Sequence, residues 1–231
     1  MPFVTALERA RSRRFLHAMD AARHLVGRAL ARRMLCAAAG LTHIGDFTRT
    51  SLGKPVCPQE THAGPGHIDF SITHSGAMVW TAFCRGASVG IDVEQVRPLP
   101  DIFELAAQLH PLECAAVRAR PDAERAAAFY RCWTRKESVL KALGMGLHLP
   151  LHDFQVRPQP PASDWLISLP DGMARELAAA PSAGHSGAAC PAWTTRDIGL
   201  PPGYQCSVAA NAPHLSLAVF FAGDGDGADV A

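Results

Sequence analysis

The pattern of apolar and polar positions divides the chain into a helical opening, a group of short strands, a second helical stretch and further strand signals. From Asp20, read as an N-cap, Ala22, Leu25, Val26, Ala29 and Leu30 recur at i, i+3, i+4, i+7 and i+8, which predicts a helix to about Gly40. Gly40 has no Cβ to oppose the left-handed conformation common at helix ends, so it is the expected C-cap. Asp69 to Thr73, Ala77 to Cys84 and Ser88 to Val93 read as strands, the first two joined by a turn at Ser75-Gly76. Leu52 to Gly66 reads as loop, and Arg97-Pro98-Leu99-Pro100 as the link between two halves. Beyond it the pattern predicts a helix from about Asp101, a loop near Pro121, and a long helix from about Ala123 to Leu143 ended by Gly144 and Gly146. Strand signals follow at Phe154–Val156, Trp165–Leu169, Ala192–Thr195, Gln205–Ala209 and Ser216–Phe221. Ala178 to Ala189 is low in complexity and reads as a mobile loop; Gly223 to Ala231 reads as a disordered tail.

Composition narrows the class. With 231 residues, 48% of them hydrophobic and 19% charged, the chain can bury a core as one large domain or two small ones. The net charge of +1 hides a local excess of base at Arg9, Arg11, Arg13, Arg14, Arg23, Arg28, Arg32 and Arg33, which suits phosphate groups or a solvated helix face. Nucleic acid is a poor partner for a segment so short of aromatic residues at a pI of about 7.7. Seven scattered cysteines without a C-x-x-C pair read as reduced thiols. No signal-peptide pattern opens the chain and no apolar run is long enough to span a membrane, so the expected location is cytoplasmic, with no membrane partner.

Three segments carry chemistry. In Gly90-Ile91-Asp92-Val93-Glu94, strand geometry sends Ile91 and Val93 to one side and Asp92 and Glu94 together to the other. Two carboxylates so placed repel unless a cation such as Mg²⁺ lies between them; the plainer reading is an edge strand with two solvated acids. On the helix after Phe129, Trp133, Lys136, Glu137, Leu140, Lys141 and Gly144 fall in one arc. Glu137 and Lys141 are spaced as a surface ion pair, but that leaves unexplained why Trp133 shares their face. Thr73 and His74 end a strand and suit a phosphate, as does Lys54 in Gly53-Lys54-Pro55; a structural histidine is the alternative.

In this order the segments resemble the 4′-phosphopantetheinyl transferase superfamily, in its longer two-lobed branch that activates synthetases of the surfactin type. Gly53-Lys54-Pro55, Phe70 through Ser75, Gly90 through Glu94, Trp133 through Gly144 and Pro202-Gly203-Tyr204 carry the likeness. It implies an α+β fold of two similar lobes related by a pseudo-twofold axis, residues 1–100 and 101–222, each a small antiparallel sheet on a long helix, with the active site between them. The implied reaction is Mg²⁺-dependent transfer of 4′-phosphopantetheine from coenzyme A to a serine of an apo acyl or peptidyl carrier protein, releasing 3′,5′-ADP, by a monomer. The implied metal ligands are Asp92, Glu94 and Glu137, with Lys141 on the pyrophosphate and Lys136 in support. Glu137 is the first candidate for general base and Glu113 the second. His74, Arg11 and Arg9 would hold the 3′-phosphate, and Lys54, Thr73 and His24 would line the nucleotide pocket. Glu8 stands where the family usually offers a base, and the stretch before the arginines is shorter than the family's. Two other readings use the same residues: a Mg²⁺-dependent nucleotide pyrophosphate hydrolase, and a non-catalytic module that docks carrier domains.

Overall fold

The structure is a computed structural model and describes residues 3–58, 68–146, 149–156, 165–167 and 193–221. Among these the fold is α+β, as expected, with helices packed on small antiparallel sheets.

The arginine-rich opening contains a helix that periodicity had not shown, α1 (Ala6–Ser12). Its signal was a capping box: the Thr5 hydroxyl accepts the Glu8 N–H at 3.2 Å and Glu8 Oε2 accepts the Thr5 N–H at 3.0 Å. Glu8 is buried and also binds Arg32, with Nη2–Oε1 at 2.8 Å, so this acid ties α1 to the next helix. That helix, α2 (Ala18–Ala39), starts two residues before Asp20. Asp20 is not its N-cap but a first-turn acid, 2.7 Å from Arg23. Gly40 ends the helix at φ 67°, as expected.

The short pair β1 (Thr48–Arg49) and β2 (Pro55–Val56) leads into β3 (Ile68–Ser75), which forms an antiparallel hairpin with β4 (Met78–Arg85). Strand β5 (Val89–Gln95) joins the second sheet, whose order is β5-β8-β7-β6, with β6 at Trp165–Ile167, β7 at Trp193–Asp197 and β8 at Tyr204–Ala210. The helical stretch after Pro100 is two helices, α3 (Ile102–Ala106) and α4 (Pro111–Arg118). Helix α5 (Asp122–Leu143) then crosses the sheet and stops at Gly144, φ 71°. Its buried face joins the largest core cluster through Ala128, Phe129, Cys132, Val139, Leu140 and Ala142.

Although β3 and β5 belong to different sheets, they run parallel, joined by side chains. Asp69 Oδ2, Ser71 Oγ, Thr73 Oγ1 and Ser75 Oγ accept the backbone N–H groups of Val89, Ile91, Val93 and Gln95 at 2.7, 3.2, 3.2 and 3.1 Å. The alternate residues of β3, Phe70 and Ile72, face the core under α2. Polar oxygens thus stand in for a neighbouring strand's carbonyls, and the edge of β5 keeps its hydrogen bonds.

Two expected strands do not form. Phe154–Val156 is irregular because its backbone is satisfied by side chains: Lys136 Nζ donates to the carbonyls of Leu151 (2.8 Å) and Phe154 (2.5 Å), and Glu113 Oε1 accepts the Val156 N–H at 2.6 Å. Ser216–Phe221 is also irregular, with Phe220 and Phe221 exposed. The expected loop 178–189 and tail 223–231 lie outside the described residues, as does the end of the Trp165–Leu169 signal.

Candidate active site

Glycine sets the first distance in the site. A Cβ on Gly90 would lie 2.0 Å from the Ser138 carbonyl oxygen and 2.4 Å from the Ala142 nitrogen, so β5 rests directly on the backbone of α5. Asp92 and Glu94 follow on the same face of the strand, while Ile91 and Val93 enter the core on the other, as the alternation predicts. The acids therefore project toward the α5 face that carries Trp133, Glu137 and Lys141. Together with Ile72, Thr73 and His74 of β3, these residues line a cleft of about 380 Å³.

Asp92, only 4% exposed, meets Lys141 with Oδ1 2.5 Å from Nζ. The Thr73 hydroxyl donates to the same Asp92 oxygen at 3.1 Å and accepts from Lys141 Nζ at 3.2 Å. Ser75 donates to Glu94 Oε2 at 2.7 Å. Burial pushes the carboxyls of Asp92, Glu94 and Glu137 above the usual range, and the charges of Asp92 and Glu94 add to the effect at Glu137, against Lys141.

Whether this set suits a divalent cation can be tested on its unpaired atoms. Asp92 Oδ2 is buried without a hydrogen-bond partner, and three carboxylates lie near enough to oppose one another's ionisation. Both features fit a hard, oxygen-seeking ion. Among the described residues no group of three or more acids, histidines or cysteines is placed, as it stands, to hold a metal ion; the positive charge that meets Asp92 is that of Lys141.

A second, larger cavity of about 520 Å³ lies between α1, α2 and β1. Arg11, Arg14, Arg28, Arg49 and His24 bring base to its walls, and Phe15 and Phe47 bring flat apolar surface. Arg28 is drawn down to about 10 by burial, with Arg49 and Arg11 adding to the effect and Glu8 opposing it. Arg11 and His24 were expected near a nucleotide; Arg14, Arg28, Phe47 and Arg49 were not singled out, although Arg14 and Arg28 belong to the basic run. Arg9 is exposed and is not part of this lining.

Three expected site residues stand elsewhere. Lys136 and Glu113, each 0% exposed, form a buried ion pair at 3.0 Å, and Glu113 also accepts the N–H groups of Val156 and His110. Their hydrogen bonds hold residues 151–156 against α5. Lys54 binds Asp69, the Val89 carbonyl at 3.2 Å and the Ala142 carbonyl at 3.1 Å, strapping β3, β5 and the end of α5 together. None of the three lines either cavity.

Comparison with known proteins decides the family. Residues 88–196 match the profile of the 4′-phosphopantetheinyl transferase superfamily, and residues 1–85 match that of the 4′-phosphopantetheinyl transferase N-terminal region. The chain is 36% identical over 174 residues to a 4′-phosphopantetheinyl transferase of Bacillus subtilis, covering 74% of each chain. The chain belongs to the 4′-phosphopantetheinyl transferase superfamily. It is 35% identical over 159 residues to the 4′-phosphopantetheinyl transferase Sfp of Bacillus subtilis strain 168, covering 68% of this chain and 67% of that one. Over 162 residues it is 30% identical to the L-aminoadipate-semialdehyde dehydrogenase-phosphopantetheinyl transferase of Rattus norvegicus, covering 65% and 52%. As a 4′-phosphopantetheinyl transferase superfamily member of the Sfp type it is a transferase, which bears out the resemblance carried by its motifs. No helix of the described residues is long and apolar enough to cross a membrane.

Proposed function

We propose that this protein transfers the 4′-phosphopantetheine group of coenzyme A to a serine of an apo acyl or peptidyl carrier protein, with Mg²⁺, releasing 3′,5′-ADP. The observation that carries the reading is the convergence of Asp92, Glu94, Glu137 and Lys141 on one cleft, with one oxygen of Asp92 buried and unpaired. Asp92, Glu94 and Glu137 would hold the cation. When bound, Mg²⁺ supplies neutralisation of the charge that builds on the pyrophosphate as it is cleaved.

The chain's own residues do the rest. The serine oxygen forms a bond to the β-phosphorus as the bond from that phosphorus to the bridging oxygen of 3′,5′-ADP breaks. In-line positioning and charge neutralisation supply most of the rate in such a displacement. Lys141, 31% exposed beside Asp92, is free on its outer side to meet the pyrophosphate. Glu137, which lines the cleft beside Asp92 and Glu94, accepts the serine proton. Glu113 is buried against Lys136 and backbone N–H groups, which favours Glu137 for this role. His74 at the cleft rim and Arg11 in the basic cavity hold the 3′-phosphate, with Arg9 nearby in sequence, and His24 lines the nucleotide pocket.

The two-lobed division at about residue 100 draws support from two 22-residue helices, α2 and α5, each packed on antiparallel strands. The cleft takes β3 and β5 from the first part and α5 from the second, so one chain supplies every wall and a monomer suffices. The test is intact mass of an apo carrier protein incubated with this protein, coenzyme A and Mg²⁺, beside an EDTA control. A gain of about 340 Da, the mass added by the proposed transfer, is expected only with metal. Consumption of coenzyme A with no gain would point to hydrolysis instead.

A further inference from the structure

The four rungs between β3 and β5 are alike at one end and differ at the other. Each oxygen, on Asp69, Ser71, Thr73 and Ser75, accepts an N–H from β5. At two rungs the hydroxyl hydrogen then goes to the acid one residue earlier on β5: Thr73 to Asp92 Oδ1 at 3.1 Å and Ser75 to Glu94 Oε2 at 2.7 Å. The corresponding neighbour of the Ser71 rung is Gly90, which has no side chain to receive it. A hydroxyl has one hydrogen to give. The accepted N–H fixes where the oxygen sits, and the donated hydrogen fixes one oxygen of the carboxylate.

We propose that Thr73 and Ser75 are positioning residues that aim the Asp92 and Glu94 carboxylates at the cation of the transfer reaction. This rests on the reading that Asp92, Glu94 and Glu137 hold a divalent ion. Thr73 and Lys141 together occupy Asp92 Oδ1, so the unpaired Oδ2 is the atom left to bind. Ser75 does the same for Glu94 by engaging Oε2 alone. The seam thus orients both acids before any ligand arrives, and groups that orient metal ligands by hydrogen bonds govern affinity strongly. Thr73 is thereby assigned to the carboxylates rather than to the nucleotide.

The test is binding of Mn²⁺ to the full chain, followed by the loss of the free-ion electron paramagnetic resonance signal, with and without coenzyme A. Ser75→Ala and Thr73→Val should each weaken Mn²⁺ binding by about tenfold. Ser75→Thr and Thr73→Ser, which keep the hydroxyl, should restore it. Ser71→Ala removes a rung that aims no carboxylate, so it should lower the melting temperature and leave Mn²⁺ affinity unchanged. Should Thr73→Val fail to fold, Ser75→Ala, at the end of its strand, carries the test. Wild-type affinity in Ser75→Ala, or equal weakening in Ser71→Ala, would overturn the proposal. Wild-type protein that takes up no Mn²⁺ in either condition would instead overturn the cation reading, and this one with it.

Discussion

Asp92 and Lys141 meet where β5 crosses α5, carboxylate oxygen to ammonium nitrogen at 2.5 Å, with the acid buried and the lysine open on one side to the cleft. A salt bridge built this way is asymmetric. The acid depends on the lysine for compensation of its burial, while the lysine keeps water and any ligand within reach.

Replacing Lys141 with Met should therefore affect stability and activity together. The orphaned Asp92 charge costs about 2 kcal/mol, less than a fully enclosed pair because Lys141 is partly solvated. Transfer should fall by about 100-fold or more, as for loss of a group that meets developing charge. Urea unfolding and carrier modification rates measure the two effects, and an unchanged unfolding midpoint would refute the first.

Glu137→Gln separates them. It removes one of three mutually opposed carboxylates that has no cationic partner at bonding distance among the described contacts, so the metal-free protein should melt at or above the wild-type temperature in EDTA. Transfer should be abolished. A clear drop in melting temperature would mean that Glu137 helps hold the fold together.

Glu113 and Lys136 should behave in the opposite way. Removing either charge leaves the other fully buried, and Glu113→Gln or Lys136→Met should cost about 3–5 kcal/mol. The double variant Glu113→Leu/Lys136→Met should recover part of that loss. At low temperature, the folded fraction of Glu113→Gln should retain kcat within a few-fold of wild type; a total loss of kcat in folded protein would return Glu113 to candidacy as the base.

Gly90→Ala tests the β5–α5 contact. The added methyl meets backbone atoms at 2.0 and 2.4 Å, which no side-chain rotation relieves, so strand and helix must part. The expected loss is about 3 kcal/mol or more, read as a fall in melting temperature, with weaker binding of divalent ions because Asp92 moves away from Glu137.

His24 supplies a pH dependence. Burial lowers its pKa, as do Arg28, Arg11 and His74, while Glu8 opposes them. The folded protein thus holds fewer protons than the unfolded chain below about 6.5, the usual imidazole value. The stability contributed by neutral His24 is complete above that pH and is lost as the pH falls through the folded-state value. Melting temperature should decline on acidification below 6.5, and less steeply in His24→Gln. Binding of 3′,5′-ADP in the basic cavity should draw protons onto His24, detected as buffer-dependent binding heats; no proton uptake near pH 6 would count against the nucleotide reading.

Much of this architecture was legible because it depends on short-range periodicity. The β5 alternation placed Ile91 and Val93 opposite Asp92 and Glu94, and one helical arc gathered Trp133, Glu137 and Lys141. The same arc misled at Lys136, which lies near the edge of that face and enters the core to meet Glu113. Charge alone could not distinguish a lysine bound for solvent from one whose partner sits 23 residues earlier on α4 and whose remaining hydrogens go to the carbonyls of Leu151 and Phe154. Lys54 misled for the same reason: its acceptors, Asp69 and the carbonyls of Val89 and Ala142, come from three elements.

The sequence by itself determined the two long helices, most of the strands, the family and the two acids on one face of β5, since spacing along a regular element dictates which side chains travel together. The tertiary structure alone decided which charges reach the cleft and which are consumed within the fold. It also decided that the hydroxyls of Thr73 and Ser75 join β3 to β5. Those choices rest on hydrogen-bond partners far apart in the chain, and a buried charge settles wherever its desolvation is best compensated.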